Sequence, residues 1–485
     1  MRFDVACDLG GGFLDVVAVA GDERRIVKCV HDDTLPALLL RALHAIDIAP
    51  DQVMRVRLSS TLAANALLAG KAAPVALVTS AGFTDLPDLG RQSRRDPDAD
   101  PPPPPTPPWL SPRGWRFGLR GRVDAMGEVV EALALDDLDA LLNVPHGTPV
   151  AICLLFAHRN PAHEIAAAAH IAALRPDLPL SLSHQVDPAP REFERMLATL
   201  VDASLKPLAQ AHALPSALPA PWVMRAEGGL APLKDVLARP LGLVSSGPSA
   251  GALAVARCVP EGAAIGLDIG TTTTEVSLHR DGVPLRARQV QLGEMMLRGA
   301  CLDVESLAAT TTLNLPMIAE AVRRIAWRRG IDPAQATLVI GGGAGPDLAP
   351  ALVGALAPRH WLVPEEARVM AAAGLQQAPA LALQRLACDV PVSQLPMLRA
   401  AAAEHAAALR ARMAGWGCAS PMLSHELDLA PNARAEPIAL LWHVDADTSE
   451  TLAARARDET TRTRGHAPPG TPRIVALRST AWATL

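Results

Sequence analysis

The sequence predicts an α/β protein made of two related domains. Three observations lead to this prediction. Apolar strands alternate with helical segments over much of the first 210 residues. A glycine-rich corner between two apolar strands occurs twice, near residues 10 and 270. A third glycine run, near residue 341, follows an apolar strand and precedes a helix.

The composition excludes several classes of protein. A length of 485 residues favours two to four domains, and 49% apolar residues are enough for large cores. The net charge of −5, with both signs interspersed, lacks the basic patch of a nucleic-acid-binding protein, so we expect no nucleic-acid partner. The seven cysteines are dispersed without a CxxC pair, which indicates reduced thiols. With no signal peptide and no apolar run of roughly 18 residues, we expect a cytoplasmic protein without a membrane partner.

The N-terminal part carries strands and helices in alternation. We predict strands around the first corner at residues 3–30, then at 53–58, 74–80 and 149–157, and a hairpin at 115–133. We predict helices at residues 35–47, 61–70, 160–174 and 190–208. Asn160 can cap the third of these helices, and Pro161 fits its first position. Five consecutive prolines within residues 96–109 forbid a helix and predict a stiff surface loop.

Composition also suggests where domains end. Residues 211–240 are rich in Ala, Pro and Gly, so we place a boundary near their start. The prediction is an N-terminal domain at 1–210, a second domain at 211–378 and a small C-terminal α+β segment at 379–485. An alanine-rich helix is expected at residues 396–414 of that last segment.

The two glycine corners share one pattern. Each has an apolar strand, an acidic residue, a glycine turn, a second acid seven positions after the first, and another apolar strand. The pattern covers Asp8, Gly10, Gly11, Gly12 and Asp15 in the first copy, and Asp268, Gly270, Thr271, Thr272, Thr273 and Glu275 in the second. Two copies argue against an ordinary glycine-rich hairpin and for two related domains that face each other.

Phosphate chemistry explains these residue types. Successive backbone N–H groups in a glycine turn form a concave anion site, and the threonine hydroxyls of the second copy can donate to phosphate oxygens. A carboxylate beside a phosphate is favourable when a divalent cation, often with its waters, lies between them. We therefore predict Asp8 and Asp268 as catalytic residues that hold Mg²⁺ through water or position a nucleophilic water.

The third glycine run predicts a nucleotide seat. Residues 337–356 read as strand, glycine loop and helix, with Pro346 in the first helical turn. A helix N-terminus offers free N–H groups to an anion, so Gly341, Gly342, Gly343 and Gly345 are candidate cofactor-binding residues. A Rossmann dinucleotide site is the alternative, but the run lacks the GxGxxG spacing.

Two phosphate corners followed by a strand, three glycines and a helix resemble the actin-like ATPase superfamily, which includes sugar kinases. The resemblance implies two ribonuclease-H-like domains with mixed sheets flanked by helices and a nucleotide cleft between them. Both corners would then hold phosphates, and Gly341–Gly345 would contact the adenosine.

Four further stretches resemble one branch of that superfamily, the hydantoinase/oxoprolinase family. They begin with TLAANALLAGKAAPVALVTSAGFTDLPDLGRQSR at residues 61–94 and continue with residues 151–168, 181–208 and 245–257. The resemblance implies an ATP- and Mg²⁺-dependent hydrolase-type subunit that phosphorylates a cyclic amide, such as 5-oxoproline or a hydantoin, or a related carbonyl compound. It also implies a second, hydantoinase B-like subunit, and we expect an oligomer.

The resemblance places Thr61 and Asn65 on the substrate side, and Arg91, which follows a strand and a loop, is a candidate to meet an anionic substrate. The chain departs from the family at the first corner, where Gly12 and Leu14 replace hydroxyl residues. It also lacks the family's long glycine-rich stretch, because only residues 276–340 separate the second corner from the third glycine run. Two alternatives therefore stay open: a non-catalytic or regulatory nucleotide-binding paralogue that works with a partner, and a C1-pathway or kinase-like member of the superfamily. We expect His163 and Glu164 to be structural, since HExxH spacing is missing.

Overall fold

A computed structural model describes residues 1–92, 98, 104–270, 273–308, 315–430, 437–465 and 470–485. By compactness the chain divides into two units. The first comprises residues 1–228, 232–327 and 331–377, and the second comprises residues 229–231, 328–330 and 378–485. The boundary predicted near residue 211 lies inside the first unit and stays a prediction. Residues 93–97 and 99–103, which include half of the proline-rich stretch 96–109, lie outside the described residues.

The first lobe of the first unit and its insertion contain six helices and eleven strands among the described residues. They are β1 (Phe3–Leu9), β2 (Phe13–Ala20), β3 (Glu23–Val30), α1 (Leu35–Ala45), β4 (Val53–Ser60), α2 (Leu62–Leu68), β5 (Ala76–Ser80), α3 (Leu86–Leu89), β6 (Arg116–Leu119), β7 (Arg122–Val123), β8 (Val129–Glu131), β9 (Val150–Cys153), α4 (Ala162–Leu174), β10 (Leu180–Leu182), α5 (Ser183–Val186), α6 (Glu192–Ala209) and β11 (Trp222–Arg225).

The sheet of the first lobe has the strand order β3-β2-β1-β4-β11. Strands β1, β2 and β3 are antiparallel neighbours joined by tight turns, whereas β4 runs parallel to β1 and to β11. A parallel neighbour needs a crossover connection, which α1 supplies between β3 and β4. The sheet is therefore mixed, and its central strand β1 is apolar on both faces except at its acids.

An insertion between β4 and β11 forms a second, smaller sheet with the order β10-β9-β5-β6. Its strands are parallel, and β5 and β9 are fully buried, as expected for a parallel sheet covered on both faces. The strand predicted at 149–157 ends at Cys153, and Phe156 follows with a φ of 56°. The buried carboxylate of Glu164 accepts hydrogen bonds from the Leu154 N–H (2.9 Å) and the Ser183 hydroxyl (2.5 Å), so it ties β9 to α5.

The described residues from 229 to 377 contain nine strands and five helices. They are β12 (Gly229–Pro232), α7 (Leu233–Ala238), α8 (Ser246–Cys258), β13 (Ala263–Ile269), β14 (Thr273–Arg280), β15 (Val283–Pro284), β16 (Arg286–Leu292), β17 (Met295–Leu302), β18 (Val304–Ala308), α9 (Leu315–Arg328), β19 (Thr337–Gly341), α10 (Gly345–Leu356), β20 (His360–Leu362) and α11 (Met370–Leu375).

The second lobe repeats the topology of the first. Its strands β18, β14, β13, β19 and β20 are neighbours in that order, with β13 antiparallel to β14 and parallel to β19. Corresponding strands therefore have the same order and direction in both lobes. A core that includes Leu267, Val276 and Leu338 packs this sheet against α9 and α10.

Helices α8 and α11 connect the two lobes of the first unit. Helix α8 contacts β4 and β11 of the first lobe and β13 and β14 of the second. It also crosses α11 closely, since a Cβ on Gly374 would lie 2.0 Å from the Ala250 carbonyl oxygen. Small residues at this crossing allow the two backbones to approach each other.

The second unit is an α+β fold. Its long segment contains β21 (Ala380–Pro391), α12 (Leu398–Gly415), β22 (Met422–Ala430), β23 (Ile438–Leu441), α13 (Ser449–Arg464) and β24 (Arg473–Ala483). Antiparallel strands in the order β23-β22-β24-β21 pack against the helices around Leu427, Leu452 and Leu477. Across the described parts of the whole chain, no helix is long and apolar enough to cross a membrane.

Candidate functional site

A cavity of about 450 Å³ opens between the two lobes of the first unit. The elements that form it are the β1–β2 corner, the β13–β14 corner, the β19–α10 loop, the N-terminus of α8, and parts of α2 and β16. The predicted site residues that line it are Asp8, Gly10, Gly11, Gly12, Asp15, Thr61, Asn65, Asp268, Gly270, Thr273, Glu275, Gly342 and Gly343. Thr271 and Thr272 lie outside the described residues.

The first corner is a tight turn that brings two acids together. The Gly10 N–H donates to the Phe13 carbonyl oxygen at 2.9 Å, and the β1–β2 register places Asp8 opposite Asp15. The Ser59 hydroxyl donates to Asp8 Oδ1 at 2.5 Å, and Lys28 Nζ lies 2.6 Å from Asp15 Oδ1. Each carboxylate is therefore held by a neighbouring strand.

The second corner repeats this geometry. The Gly270 N–H donates to the Thr273 carbonyl oxygen at 2.9 Å, and Asp268 lies opposite Glu275 in the β13–β14 register. The other neighbour of Asp268, on the parallel strand β19, is Gly341. The duplicated sequence pattern thus corresponds to a duplicated backbone turn with an acid pair at each copy.

Helix α8 lies against the first acid of each pair. A Cβ on Gly247 would lie 3.4 Å from Asp8 Oδ1, and a Cβ on Gly251 would lie 3.0 Å from Asp268 Oδ2. These glycines are one helical turn apart on one face of α8, so the two acids lie along the same side of the helix, and its first turn borders the cavity. In that turn the Ser246 N–H donates to the Leu243 carbonyl oxygen and Pro248 has no N–H, so an anion such as a phosphate would meet the Gly247 N–H there.

The third glycine run closes another side of the cavity. Gly342 has a φ of +87°, and a Cβ there would lie 2.3 Å from the Ile269 nitrogen, so only glycine fits. Gly341 and Gly345 are buried and are not part of the cavity wall, since Gly341 ends β19 and Gly345 begins α10. Arg368 donates to the Gly343 carbonyl oxygen at 2.6 Å.

The pKa values of the four acids at the two corners, Asp8, Asp15, Asp268 and Glu275, are raised. Burial raises the pKa of Asp8 to about 6; the Ser59 hydrogen bond opposes this shift, and the charge of Asp15 adds to it. Burial also raises the pKa values of Asp268 and Glu275, and the negative charges of the neighbouring acids raise them further. Ionised carboxylates in this cavity thus lack sufficient positive charge, which a bound cation would supply.

The residues present fit a magnesium ion that is shared with phosphates. Among the described residues, no group of three or more His, Cys, Asp or Glu is arranged to hold a metal ion by itself. Mg²⁺ is commonly bound by one or two carboxylates together with waters and substrate phosphates. Asp8 and Asp268, with their raised pKa values, are the candidates for such a role.

Two of the three predicted substrate residues reach the cavity. The Thr61 N–H donates to the Leu9 carbonyl oxygen at 3.0 Å, and Asn65 Nδ2 donates to Thr61 Oγ1 at 3.2 Å. Arg91 is not in the cavity wall: its Nε donates to Glu194 Oε1 at 2.8 Å, which ties it to α6.

Sequence reasoning assigned no role to several residues that line the cavity. They are Lys28, Val244, Ser245, Gly247, Val290, Gln291, Leu292, Asp347 and Arg368. The small residues and Pro248 at the start of α8 were a usable signal for a close helix N-terminus. No local pattern marks Lys28 or Arg368, whose positions depend on contacts between distant strands and turns.

Family models match most of the chain. The model described as hydantoinase/oxoprolinase N-terminal region matches residues 4–174. The model described as hydantoinase/oxoprolinase matches residues 195–318 and 310–382. The matches cover both glycine corners and the third glycine run.

Curated relatives include subunits of two bacterial enzymes. The chain is 28% identical over 332 residues to the caprolactamase subunit alpha of Pseudomonas jessenii, which covers 64% of this chain and 48% of that protein. It is also 28% identical over 224 residues to the acetophenone carboxylase gamma subunit of Aromatoleum aromaticum, with 41% and 30% covered. The chain therefore spans about half the length, or less, of these curated relatives.

A solved structure shows the same fold. The crystal structure of the ATP-dependent caprolactamase from Pseudomonas jessenii matches with a TM-score of 0.82 and 18% identity, covering 100% of this chain and 87% of that chain. This likeness confirms the predicted α/β architecture, with two ribonuclease-H-like domains whose mixed sheets are flanked by helices.

Proposed function

The chain belongs to the hydantoinase/oxoprolinase family, and from this we propose that it is an ATP-dependent, hydrolase-type subunit acting on a cyclic amide or a related carbonyl compound. The observation that carries the proposal is the pair of equivalent corners facing one cavity, each with two acids and a glycine turn. Relatives described as caprolactamase and 5-oxoprolinase support the substrate class.

ATP is the proposed cosubstrate. Its phosphates would lie against the N–H groups of Gly10–Gly12, of the second corner and of the first turn of α8. Its adenosine would lie beside the third glycine run, where Gly342, Gly343 and Asp347 line the cavity. Gly341 and Gly345 would then act indirectly, by ending β19 and starting α10.

The acids have separate proposed roles. Mg²⁺, when bound, supplies positive charge that offsets the phosphates, and Asp8 and Asp268 would hold it directly or through waters. Asp15 and Glu275 complete the acid pairs, and Lys28 limits the negative charge at the first corner through its ion pair with Asp15. Either Asp8 or Asp268 can also orient a water.

Phosphorylation explains why such an enzyme needs ATP. An amide is a poor electrophile with a poor leaving group. A bond formed from the amide oxygen to the γ-phosphorus, with breakage of the bond to the β–γ bridging oxygen, releases ADP and leaves an activated O-phosphorylated amide that water can attack. The chain's contribution is positioning and charge stabilisation, with Thr61 and Asn65 as the groups nearest the substrate.

A partner subunit belongs to the proposal. The caprolactamase and acetophenone carboxylase relatives are described as subunits. A hydantoinase B-like second subunit, in a hetero-oligomer, would take the activated amide to completion.

A second candidate is a nucleotide-binding paralogue that regulates a partner. Gly12 and Leu14 replace hydroxyl residues at the first corner, so this corner contacts phosphates through its backbone only. The short stretch 276–340 favours this candidate as well. A kinase-like member with another phosphoryl acceptor also stays open.

Calorimetry with ATP and Mg²⁺ tests the proposal on the full chain. We expect MgATP to bind, and we expect phosphate release to rise when a cyclic amide is added, alone or with the second subunit. Failure to bind MgATP would contradict both candidates, whereas binding without amide-dependent phosphate release would favour the regulatory one.

The variant Asp268→Asn tests the mechanism. It should abolish amide-dependent phosphate release while the protein stays folded, because the carboxylate that faces the phosphates is lost. The control Asp51→Asn changes an exposed acid outside the cavity and should have no effect. Unchanged turnover of Asp268→Asn would remove this residue from the mechanism.

A further inference from the structure

We propose that the end of the cavity formed by α2 and β16 is a subsite for an uncharged cyclic amide, and that it selects against substrates that carry a carboxylate. The inference rests on the proposed function and adds to it the charge class of the substrate. It is carried by the residues that meet at this end and by the distribution of charge around the whole cavity.

Three elements converge on this subsite. Helix α2 contacts both β16 and the turn at Pro240–Ser245. The approach between the lobes is close here, since a Cβ on Gly293 would lie 3.3 Å from Leu68 Cδ2. The apolar side chains at this end of the cavity wall are those of Ala64, Leu68, Val244, Val290 and Leu292.

The hairpin that carries one wall is anchored to the insertion. Arg298 on β17 donates to Asp187 Oδ2 and to the Pro190 carbonyl oxygen, each at 2.6 Å. This connection joins the β16–β17 hairpin of the second lobe to the segment before α6. It anchors the hairpin whose turn, at Gly293, approaches Leu68 of α2.

The polar side chains at this end are uncharged. Thr61 and Asn65 lie on the α2 side and Gln291 on the hairpin side. Asn65 Nδ2 donates to Thr61 Oγ1 at 3.2 Å and Gln291 Nε2 donates to the Gly293 carbonyl oxygen at 3.1 Å, and each carboxamide has a second N–H and a carbonyl acceptor. The amide of a lactam also has one donor and one acceptor, so it can form hydrogen bonds with these uncharged side chains.

The charges of the cavity argue against an anionic substrate. The acids in its described wall are Asp8, Asp15, Asp268, Glu275 and Asp347. The cations in the same part of the wall are Lys28, paired with Asp15 at 2.6 Å, and Arg368, paired with Asp347 at 2.9 Å. Neither cation lies on α2 or β16, and MgATP itself brings further negative charge.

A carboxylate on the substrate would therefore lose its hydration without gaining a cationic partner, which is costly. A cationic substrate would have to place its charge among apolar side chains at the same cost. A neutral ring avoids both penalties and buries its methylene groups against Leu68, Val290 and Leu292.

A matched pair of ligands tests the inference. 2-Pyrrolidone and 5-oxoproline share one ring and differ by a carboxylate. Binding of each is measured by calorimetry to the full chain, with and without MgADP. We expect 2-pyrrolidone to bind more tightly by about fivefold or more, the effect of about 1 kcal/mol.

The variant Leu68→Arg is designed to reverse this preference. Leu68 is 55% exposed and faces the cavity, so the substitution leaves the core intact. The new guanidinium should tighten 5-oxoproline and weaken 2-pyrrolidone, each by about threefold to fivefold, the range of a partly exposed ion pair. The control Met54→Arg, at a position 49% exposed and outside the cavity wall, should leave the preference unchanged.

The outcomes separate this inference from the proposed function. Equal or tighter binding of 5-oxoproline to the unmodified chain would overturn the inference, as would failure of both lactams to bind while MgATP binds. Loss of MgATP binding, with the lactam preference intact, would overturn the proposed function only. An unchanged preference in Leu68→Arg would remove α2 from the subsite.

Discussion

Asp268 and Glu275 face each other across the β13–β14 corner with the charge of Asp8 nearby. Their pKa values are raised by burial first and by mutual repulsion second. The native state without ligand therefore binds their protons more tightly than the unfolded chain does. Burying several acids together in this way favours the binding of a cation at the expense of stability.

The first prediction concerns pH. Stability from a raised carboxyl pKa is present below the unfolded value of about 4 and is lost as pH rises through the higher folded value. Asp268→Asn removes this loss, so it should raise the free energy of unfolding at pH 8 by about 1–2 kcal/mol and change it little at about pH 3.5, below the unfolded value. Urea unfolding of the ligand-free protein at both pH values checks this. A variant that is less stable at pH 8 would contradict the assignment, with Asp51→Asn as the reference.

Alanine substitutions at two adjacent glycines of the third run should differ strongly in their effect on stability. A Cβ on Gly342 would lie 2.4 Å from the Ile269 carbonyl oxygen and 2.5 Å from Asp268 Oδ1, at a φ of +87°. Nothing lies within 4 Å of a Cβ on Gly343. Gly342→Ala should therefore lower the free energy of unfolding by about 3 kcal/mol, whereas Gly343→Ala should lower it by less than about 1 kcal/mol. Equal urea midpoints for the two variants would refute this packing at the corner.

At the scale of elements, α8 organises the site. Gly247 and Gly251 on one face of α8 lie against Asp8 and Asp268, and the first turn of the helix borders the cavity. It also packs against α11, where the Ala250 carbonyl of α8 lies close to Gly374 of α11. Because both helices touch both lobes, the spacing of the two corners depends on this crossing.

The crossing predicts a position-specific effect of alanine. Gly374→Ala would place a Cβ 2.0 Å from the Ala250 carbonyl oxygen, so the helices must separate. We expect a loss of about 3 kcal/mol in unfolding free energy and weaker MgATP binding, because the corners move apart. Gly354→Ala in α10 meets nothing within 4 Å and should stabilise by up to about 1 kcal/mol. Thermal unfolding and calorimetry distinguish these results, and unaltered binding in Gly374→Ala would show that the crossing does not set the cleft.

At the scale of the whole molecule, the first unit contains one sheet topology twice, and each copy supplies one acid pair to the cavity. The second unit has its own core and a buried ion pair, in which Arg478 donates to Asp428 at 2.8 Å. Asp428 is 2% exposed, whereas Asp389, the partner of Arg473, is 50% exposed.

This contrast gives a prediction for the second unit. Asp428→Ala leaves the buried guanidinium of Arg478 with Glu426 as its acidic neighbour, at 3.3 Å. We expect a cost of about 3 kcal/mol, whereas Asp389→Ala should cost less than about 1 kcal/mol. Chemical unfolding followed by tryptophan fluorescence measures both. Similar costs for the two variants would show that burial does not decide the strength of these pairs.

The sequence alone determined the repeated unit of this protein. The pattern of acid, glycine turn and acid between apolar strands is local, so it could be read at Asp8 and Asp268 without a structure. The glycines at 341–345 and the resemblance of residues 61–94 were local signals of the same kind. Together they led to the α/β fold, the two related domains and the acids and glycines of the cavity wall, which are fewer than half of its described residues.

Only the tertiary structure decided how these pieces meet. It paired Arg91 with Glu194 away from the cavity, laid one face of α8 against both Asp8 and Asp268, and brought the hairpin at Gly293 close to Leu68 of α2. Each of these facts joins residues that are far apart in the chain. Local propensity carries no information about such contacts, because packing between distant segments fixes them when the lobes come together.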